Sequence, residues 1–262
     1  MLFEAQHLSK TFGGLTAVRD FNLSINKGEL IGLIGPNGAG KTTVFNLMTG
    51  IIKPTSGSVR LEGRDITALP AYEVSKLGVA RTFQNLRLLK TVSALQNVVT
   101  AVQRDYNYSF ISALTRTPRF RHQEAAAKAK AQEYLDIVGL GQMADSRSDS
   151  LPYGLQRKLE IARALALSPK VLLLDEPAAG MNPDESLELM NLIESLRKKY
   201  NLTILLIEHH MELVMGICER IIVLNFGEVL AEGNSEEIQS NEEVITAYLG
   251  LDEEEDEREA IS

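Results

Sequence analysis

Residues 35 to 42 read Gly35-Pro36-Asn37-Gly38-Ala39-Gly40-Lys41-Thr42, a full G-x-x-x-x-G-K-[ST] spacing. Such a loop does phosphate chemistry. Glycines let successive backbone N–H groups converge on phosphate oxygens, Lys41 brings a point charge to the outer phosphates, and the Thr42 hydroxyl can ligate Mg²⁺. A second chemical feature lies 130 residues on, where the apolar run Val171-Leu-Leu-Leu174 ends in Asp175 and Glu176. Acids at the end of a strand are common in any protein. Beside a phosphate loop they gain specific roles. Asp175 is placed to hold Mg²⁺, directly or through water, and Glu176 to polarise a water for in-line attack on a γ-phosphate.

Both features need rigid supports, and the surrounding sequence predicts them. Gly28 to Ile34 reads as a short buried strand leading into the loop, and Thr43 to Thr49 as a helix that aims the positive end of its dipole at the phosphates. Val171–Leu174, Thr203–Ile207 and Ile221–Leu224 read as fully buried parallel strands. Open α/β sheets bind ligands beyond the carboxyl ends of such strands. Residues 51–66 alternate and turn like antiparallel strands. After Arg87 the character becomes helical. Glu124 to Val138 is rich in helix formers, with Ala127, Ala131, Leu135 and Val138 on one face. Ser240-Asn-Glu-Glu243 fits a capping box that opens a last helix through Tyr248, closed by Gly250. The pattern as a whole is an α/β nucleotide-binding core, residues 1–86 and 166–250, interrupted by a helical insertion over 87–165.

Composition narrows the partners. Of the net charge of −8, residues 252–259 carry −6, with seven acids and one Arg, leaving −2 for the rest. A body that is slightly acidic argues against nucleic acid as a ligand, and the 251–262 end is expected to be a disordered, solvating tail. No stretch approaches eighteen apolar residues, and the N-terminus lacks the basic-then-apolar pattern of a secretory signal, so a cytoplasmic location is expected. The lone Cys218 rules out a disulfide framework and is expected to be a small buried apolar residue.

Over residues 2 to 250 the chain resembles the ATP-binding subunits of ABC transporters. That resemblance implies a P-loop, RecA-like core with an antiparallel β subdomain and an inserted helical subdomain, with ATP and Mg²⁺ as ligands. It extends the phosphate loop's contacts over Gly35, Asn37, Gly38, Ala39, Gly40, Lys41, Thr42 and Thr43. Phe12 matches the aromatic that stacks on adenine. Gln84 matches the glutamine that senses Mg²⁺ and touches the membrane partner, and His209 the histidine that reads the γ-phosphate. Ala178 to Pro183 matches the loop that crosses the dimer interface, with Asn182 where Asp is usual.

The family's signature, Leu-Ser-Gly-Gly-Gln in its usual form, corresponds here to Leu151-Pro152-Tyr153-Gly154-Leu155-Gln156. Pro152 removes a hydroxyl and an N–H, and Leu155 removes a polar side chain. The helix dipole and the Gly154 N–H survive, so attraction for the phosphate of a facing subunit is weakened but kept.

The Tyr-Gly form resembles the branched-chain amino acid importer ATPases, as do Ile207 to Met215, Val244 to Gly250 and the segment Arg104–His122. That likeness implies two membrane permeases, a second ATPase as heterodimer partner (a homodimer being the other arrangement) and, indirectly, an extracytoplasmic solute-binding protein. It places the chain on the cytoplasmic face of the membrane. Alternatives within the family are a lipopolysaccharide-type exporter and a soluble non-transport ATPase. A GTPase is disfavoured because Asn-Lys-x-Asp is absent, and a small-molecule kinase leaves the signature-like helix and His209 unexplained.

Overall fold

A computed structural model describes residues 1–105 and 117–248. In chain order its main elements are β1 (Phe3–Phe12), β2 (Leu15–Ile25), β3 (Leu30–Ile34), α1 (Lys41–Met48), β4 (Ser56–Leu61), β5 (Arg64–Asp65), α2 (Ala71–Leu77), β6 (Val79–Arg81) and α3 (Ala94–Val102). There follow α4 (Pro118–Ile137), α5 (Tyr153–Leu165), β7 (Val171–Asp175), α6 (Pro183–Tyr200), β8 (Thr203–Ile207), α7 (Met211–Ile217), β9 (Arg220–Asn225), β10 (Glu228–Gly233), α8 (Ser235–Gln239) and a last helix, α9, over 242–248.

Strands β2-β1-β4-β5 form an antiparallel sheet, and β10-β9-β3-β8-β7-β6 a second one that is parallel from β9 to β6, with β10 antiparallel at its edge. The central parallel strands are buried on both faces, and their side chains alternate between two cores. Leu172, Leu174, Ile204, Leu206, Ile221 and Val223 face a cluster built with α3, α4, α5 and α6. Val171, Leu173, Leu205, Ile207, Ile222 and Leu224 face another built with α1 and the antiparallel sheet. Each strand is therefore a continuous apolar run rather than an alternating one. Register then aligns the site: Leu33 lies beside Ile207, and Ile207 beside Asp175, so β3, β8 and β7 end level on one edge of the sheet.

The structure shifts several expected boundaries. β3 starts at Leu30, after the turn at Gly28, and α1 starts at Lys41 because Gly40 caps it in the left-handed conformation (φ 102°). The long helix α4 begins six residues before Glu124. Thr117 caps it through the Phe120 N–H, and Pro118 fits the first turn, where no N–H is required. Its buried face, Ala127, Ala131, Leu135 and then Val138, is the expected one. The last helix is capped by Asn241, whose Oδ1 accepts from the Glu243 and Val244 N–H groups, and not by Ser240, which donates to the Glu236 carbonyl of α8. Gly250, the acidic 251–262 end and residues 106–116 of the Arg104–His122 segment lie outside the described residues. No described helix is long and apolar enough to cross a membrane.

Candidate active site

The loop between β3 and α1 is held by its glycines. At Gly35 φ is 146°, and a Cβ would lie 2.0 Å from the Leu224 carbonyl oxygen; at Gly40 a Cβ would lie 2.5 Å from the Ala17 carbonyl oxygen. Only glycine fits either place. Helix α1 has no side-chain cap, so its first N–H groups stay available to an anion. Lys41 is buried, and its ammonium donates to the Gly35 carbonyl at 2.5 Å and the Pro36 carbonyl at 2.9 Å. Burial lowers its pKa, against the opposing pull of the Glu176 and Asp175 charges.

Asn37, Gly38, Ala39, Gly40, Lys41, Thr42 and Thr43 line a cleft of about 320 Å³ together with Ala17, Gln84, Glu176 and His209. The chain thus brings residues from five places in the sequence to one wall. Glu176 is the pivot. It follows β7 with φ 47°, a strained conformation for a residue with a side chain, and its N–H donates to the Ile207 carbonyl at 2.9 Å. One carboxylate oxygen accepts from Gln84 Nε2 at 2.6 Å, and the other lies 2.5 Å from His209 Nε2. Only the amide nitrogen of Gln84 can donate to a carboxylate, so the amide oxygen is left for another ligand.

Asp175 lies beneath this wall, buried, with Oδ2 2.6 Å from Arg81 Nη2. The Thr42 hydroxyl, the Gln84 amide oxygen and the Asp175 carboxylate are oxygen donors only, which is the chemistry Mg²⁺ takes, usually with substrate phosphates and water as its other ligands. Among the described residues no group of three or more His, Cys, Asp or Glu is placed to hold a metal ion.

Phe12 stands apart. It is 47% exposed at the tip of the β1–β2 hairpin, with Lys10 Nζ 5.0 Å from its ring centre, and it does not line the cleft. The signature residues also lie outside the cleft of their own chain. Pro152 occupies the N-cap of α5, not its first turn, so its missing N–H costs no helical bond. Its carbonyl accepts from the Leu155 and Gln156 N–H groups at 3.0 Å. Gln156 Nε2 donates to the Leu151 carbonyl, Gly154 is buried, and Leu155 is half-buried against the larger core. Tyr153 accepts a hydrogen bond from Arg157 Nη2 at 2.8 Å and packs beside Gly180.

Three residues at this site escape sequence reasoning. Arg81 is one. Arg157 is another: buried on α5, it donates to the Phe83 carbonyl at 3.0 Å and the Gln84 carbonyl at 2.5 Å, tying the signature helix to the Gln84 loop. The third is Glu208, whose carboxylate accepts from the Ala178 N–H at 2.7 Å and the His209 N–H at 3.3 Å; burial raises its pKa. Cys218 is buried, as expected, and burial pushes its thiol pKa up.

The family model described as ABC transporter matches residues 18–179, and one described as branched-chain amino acid ATP-binding cassette transporter matches residues 228–254. The high-affinity branched-chain amino acid transport ATP-binding protein BraF of Pseudomonas aeruginosa is 47% identical over 95% of this chain and 98% of its own. Among solved structures, the ADP conformation of MJ1267, an ATP-binding cassette of an ABC transporter, superposes with a TM-score of 0.83 at 30% identity, covering 95% of this chain and 98% of that one. The dimeric post-hydrolysis state of the cassette MJ0796, bound to ADP and phosphate, gives 0.76 at 26% identity over 89% and 99%. The cleft over the phosphate-loop motif, the two-sheet fold and these likenesses agree: the chain belongs to the ABC transporter family, in the group of the branched-chain amino acid transport ATP-binding proteins.

Proposed function

We propose that this chain is the ATP-hydrolysing subunit of an importer for branched-chain or related amino acids and amides, working from the cytoplasmic face of the membrane beneath two permease subunits. The observation that carries the catalytic half is the meeting of Gln84, Glu176 and His209 over the phosphate loop. The solute rests on the relatives' specificity.

In this reading Gly35 to Thr43 hold the ATP phosphates, with Lys41 turning from its loop carbonyls to the outer phosphate oxygens. Phe12 reaches the adenine from the hairpin tip. Glu176, fixed on both oxygens, orients a water in line with the γ-phosphorus and accepts its proton as the bond to the leaving ADP oxygen breaks. His209 contacts the transferred phosphoryl group. Thr42, Gln84 and Asp175 would hold Mg²⁺, which when bound neutralises charge on the β- and γ-phosphates.

Two cassettes clamp two ATP molecules head to tail, and Leu151 to Gln156 at the start of α5 face the partner's γ-phosphate. The dimeric post-hydrolysis state of the cassette MJ0796 supports the pairing of two cassettes. With a signature lacking its hydroxyl, this chain pairs best with a second, similar ATPase that supplies a fuller one. The insertion over 87–165 moves against the core formed by 1–86 and 166–250, and the Gln84 region drives a cytoplasmic helix of the permease. An extracytoplasmic binding protein delivers the solute.

The deciding experiment is ATP hydrolysis by the assembled complex carrying Glu176→Gln. Turnover should fall about 100- to 1000-fold, the size expected when a positioned base is lost, with ATP binding retained. Undiminished turnover would remove Glu176 from the chemistry.

A further inference from the structure

Arg81 ends β6 where three elements of the site meet. Nη2 donates to Asp175 Oδ2 at 2.6 Å at the end of β7, and Nη1 donates to Asn46 Oδ1 at 2.6 Å on α1, the helix that the phosphate loop opens. The Phe45 and Phe83 ring centres lie 5.3 and 5.1 Å from its guanidinium carbon, which fixes the plane of the fork. The side chains of Arg81 and Asp175 are only 6% and 4% exposed, and Arg81 Nε has no partner among the described residues. A buried ion pair contributes little net stability, and one with an unpaired N–H contributes less. What the pair does to Asp175 is a better reason for it than fold stability.

We propose that Arg81 is a positioning residue that holds Asp175 by one oxygen and competes with Mg²⁺ for its charge, and so sets how much Mg²⁺ the nucleotide site requires. The inference rests on the reading of Asp175 as a metal-side carboxylate. With Oδ2 engaged, Oδ1 is the oxygen left for the metal or its water. The guanidinium 2.6 Å away keeps the carboxylate ionised while offsetting part of the negative field it would present to a cation. With its charge shared in this way, Asp175 would add little to the hold that the nucleotide itself has on Mg²⁺. The bond to Asn46 adds registration: it fixes Asp175 relative to α1, and hence to the phosphates bound at its N-terminus.

The test is an equilibrium titration of the full chain with MgCl₂, following binding of a fluorescent ATP analogue without turnover. Arg81→Gln removes the charge but keeps a donor for Asp175 or Asn46, and Arg81→Lys keeps the charge. Arg81→Gln should lower the Mg²⁺ concentration at half-saturation on the order of tenfold, the size of one unit of electrostatic bias on a carboxylate. Arg81→Lys should stay within twofold of the parent. ATP hydrolysis by the assembled Arg81→Gln complex should nonetheless fall, because Asp175 is no longer registered to α1.

An unchanged or raised midpoint in Arg81→Gln, in protein that still melts cooperatively, overturns the inference. If Arg81→Gln does not fold, Asn46→Ala reports in its place. Freeing one arm of the guanidinium lets it close more fully on Asp175, so the midpoint should rise, and no change overturns the proposal. Asp175→Asn separates the underlying reading. If it leaves the Mg²⁺ midpoint untouched, Asp175 is not metal-side at all. A shift there with none in Arg81→Gln refutes the role of Arg81 alone.

Discussion

The phosphate loop and the start of α5 are both approaches to a helix N-terminus without a side-chain cap, and they are held in opposite ways. At α1 the anchor is local: Gly35 and Gly40 take backbone angles and approaches closed to other residues, within a few positions of the groups they serve. At α5 the anchor is remote. Pro152 merely starts the helix, and Arg157 then reaches back more than seventy residues in sequence to the carbonyls of Phe83 and Gln84. The first kind of anchor is written in a short motif. The second exists only after folding, and it joins the signature helix to the loop whose side chain meets Glu176.

The sharpest way to break this comparison is Arg157→Met. It leaves Glu160 buried without its cation, which lies 3.4 Å away, and strands two backbone carbonyls. Breaking a buried pair from one side costs about 3–5 kcal/mol. At about 2–4 °C per kcal/mol in a chain of this size, the melting temperature should drop on the order of 10 °C. A loss below about 1 kcal/mol would mean that α5 is held by its apolar face alone.

Gly35→Ala tests the local anchor. The added Cβ cannot coexist with the Leu224 carbonyl, so the loop must swing out and lose contacts to phosphate. ATP-analogue affinity should weaken about a hundredfold, the worth of one or two charge-assisted hydrogen bonds. Binding within threefold of the parent would show that the loop relaxes at no cost.

These two anchors also mark how far the sequence can be read. The strands β3, β7, β8 and β9 are legible because burial on both faces turns each into an unbroken apolar run, and the acids closing β7 follow from the phosphate loop upstream. Gln84 and His209 bear no local mark and are reached only through family resemblance. Arg81, Arg157 and Glu208 are not reached at all: Arg81 is held by partners 35 and 94 residues away, Arg157 by two carbonyls more than seventy residues away besides its helix neighbours Tyr153 and Glu160, and Glu208 by an N–H thirty residues away. The start of α4 is a different kind of miss: Thr117-Pro118 is a good cap and first turn, outweighed by the conspicuous alanines that follow.

Tyr153→Phe makes a finer cut at the remote anchor. The hydroxyl accepts one hydrogen bond from Arg157 at 2.8 Å, while the ring, 5.2 Å from the guanidinium carbon, is kept. A single hydrogen bond is worth about 1 kcal/mol, or roughly 2–4 °C in melting temperature. A change as large as that of Arg157→Met would mean that the tyrosine, and not the carbonyls, is what Arg157 chiefly holds.

Glu208 links the two regions, since its carboxylate carries the Ala178 N–H of the loop that packs Gly180 against Tyr153, while its own chain neighbour is His209. Burial raises its pKa in the folded protein, so the native state takes up the proton more readily than the unfolded chain does. The stability tied to this group is full below the unfolded glutamate pKa of about 4.3 and is lost as pH rises through the higher folded value. Glu208→Gln mimics the protonated form and still accepts from the Ala178 N–H through its amide oxygen. The variant should therefore melt higher than the parent at pH 8, and the gain should shrink towards zero at pH 4. If instead its melting temperature falls at pH 8 by as much as at pH 4, the carboxylate is held for its two backbone hydrogen bonds, and its charge costs the fold nothing.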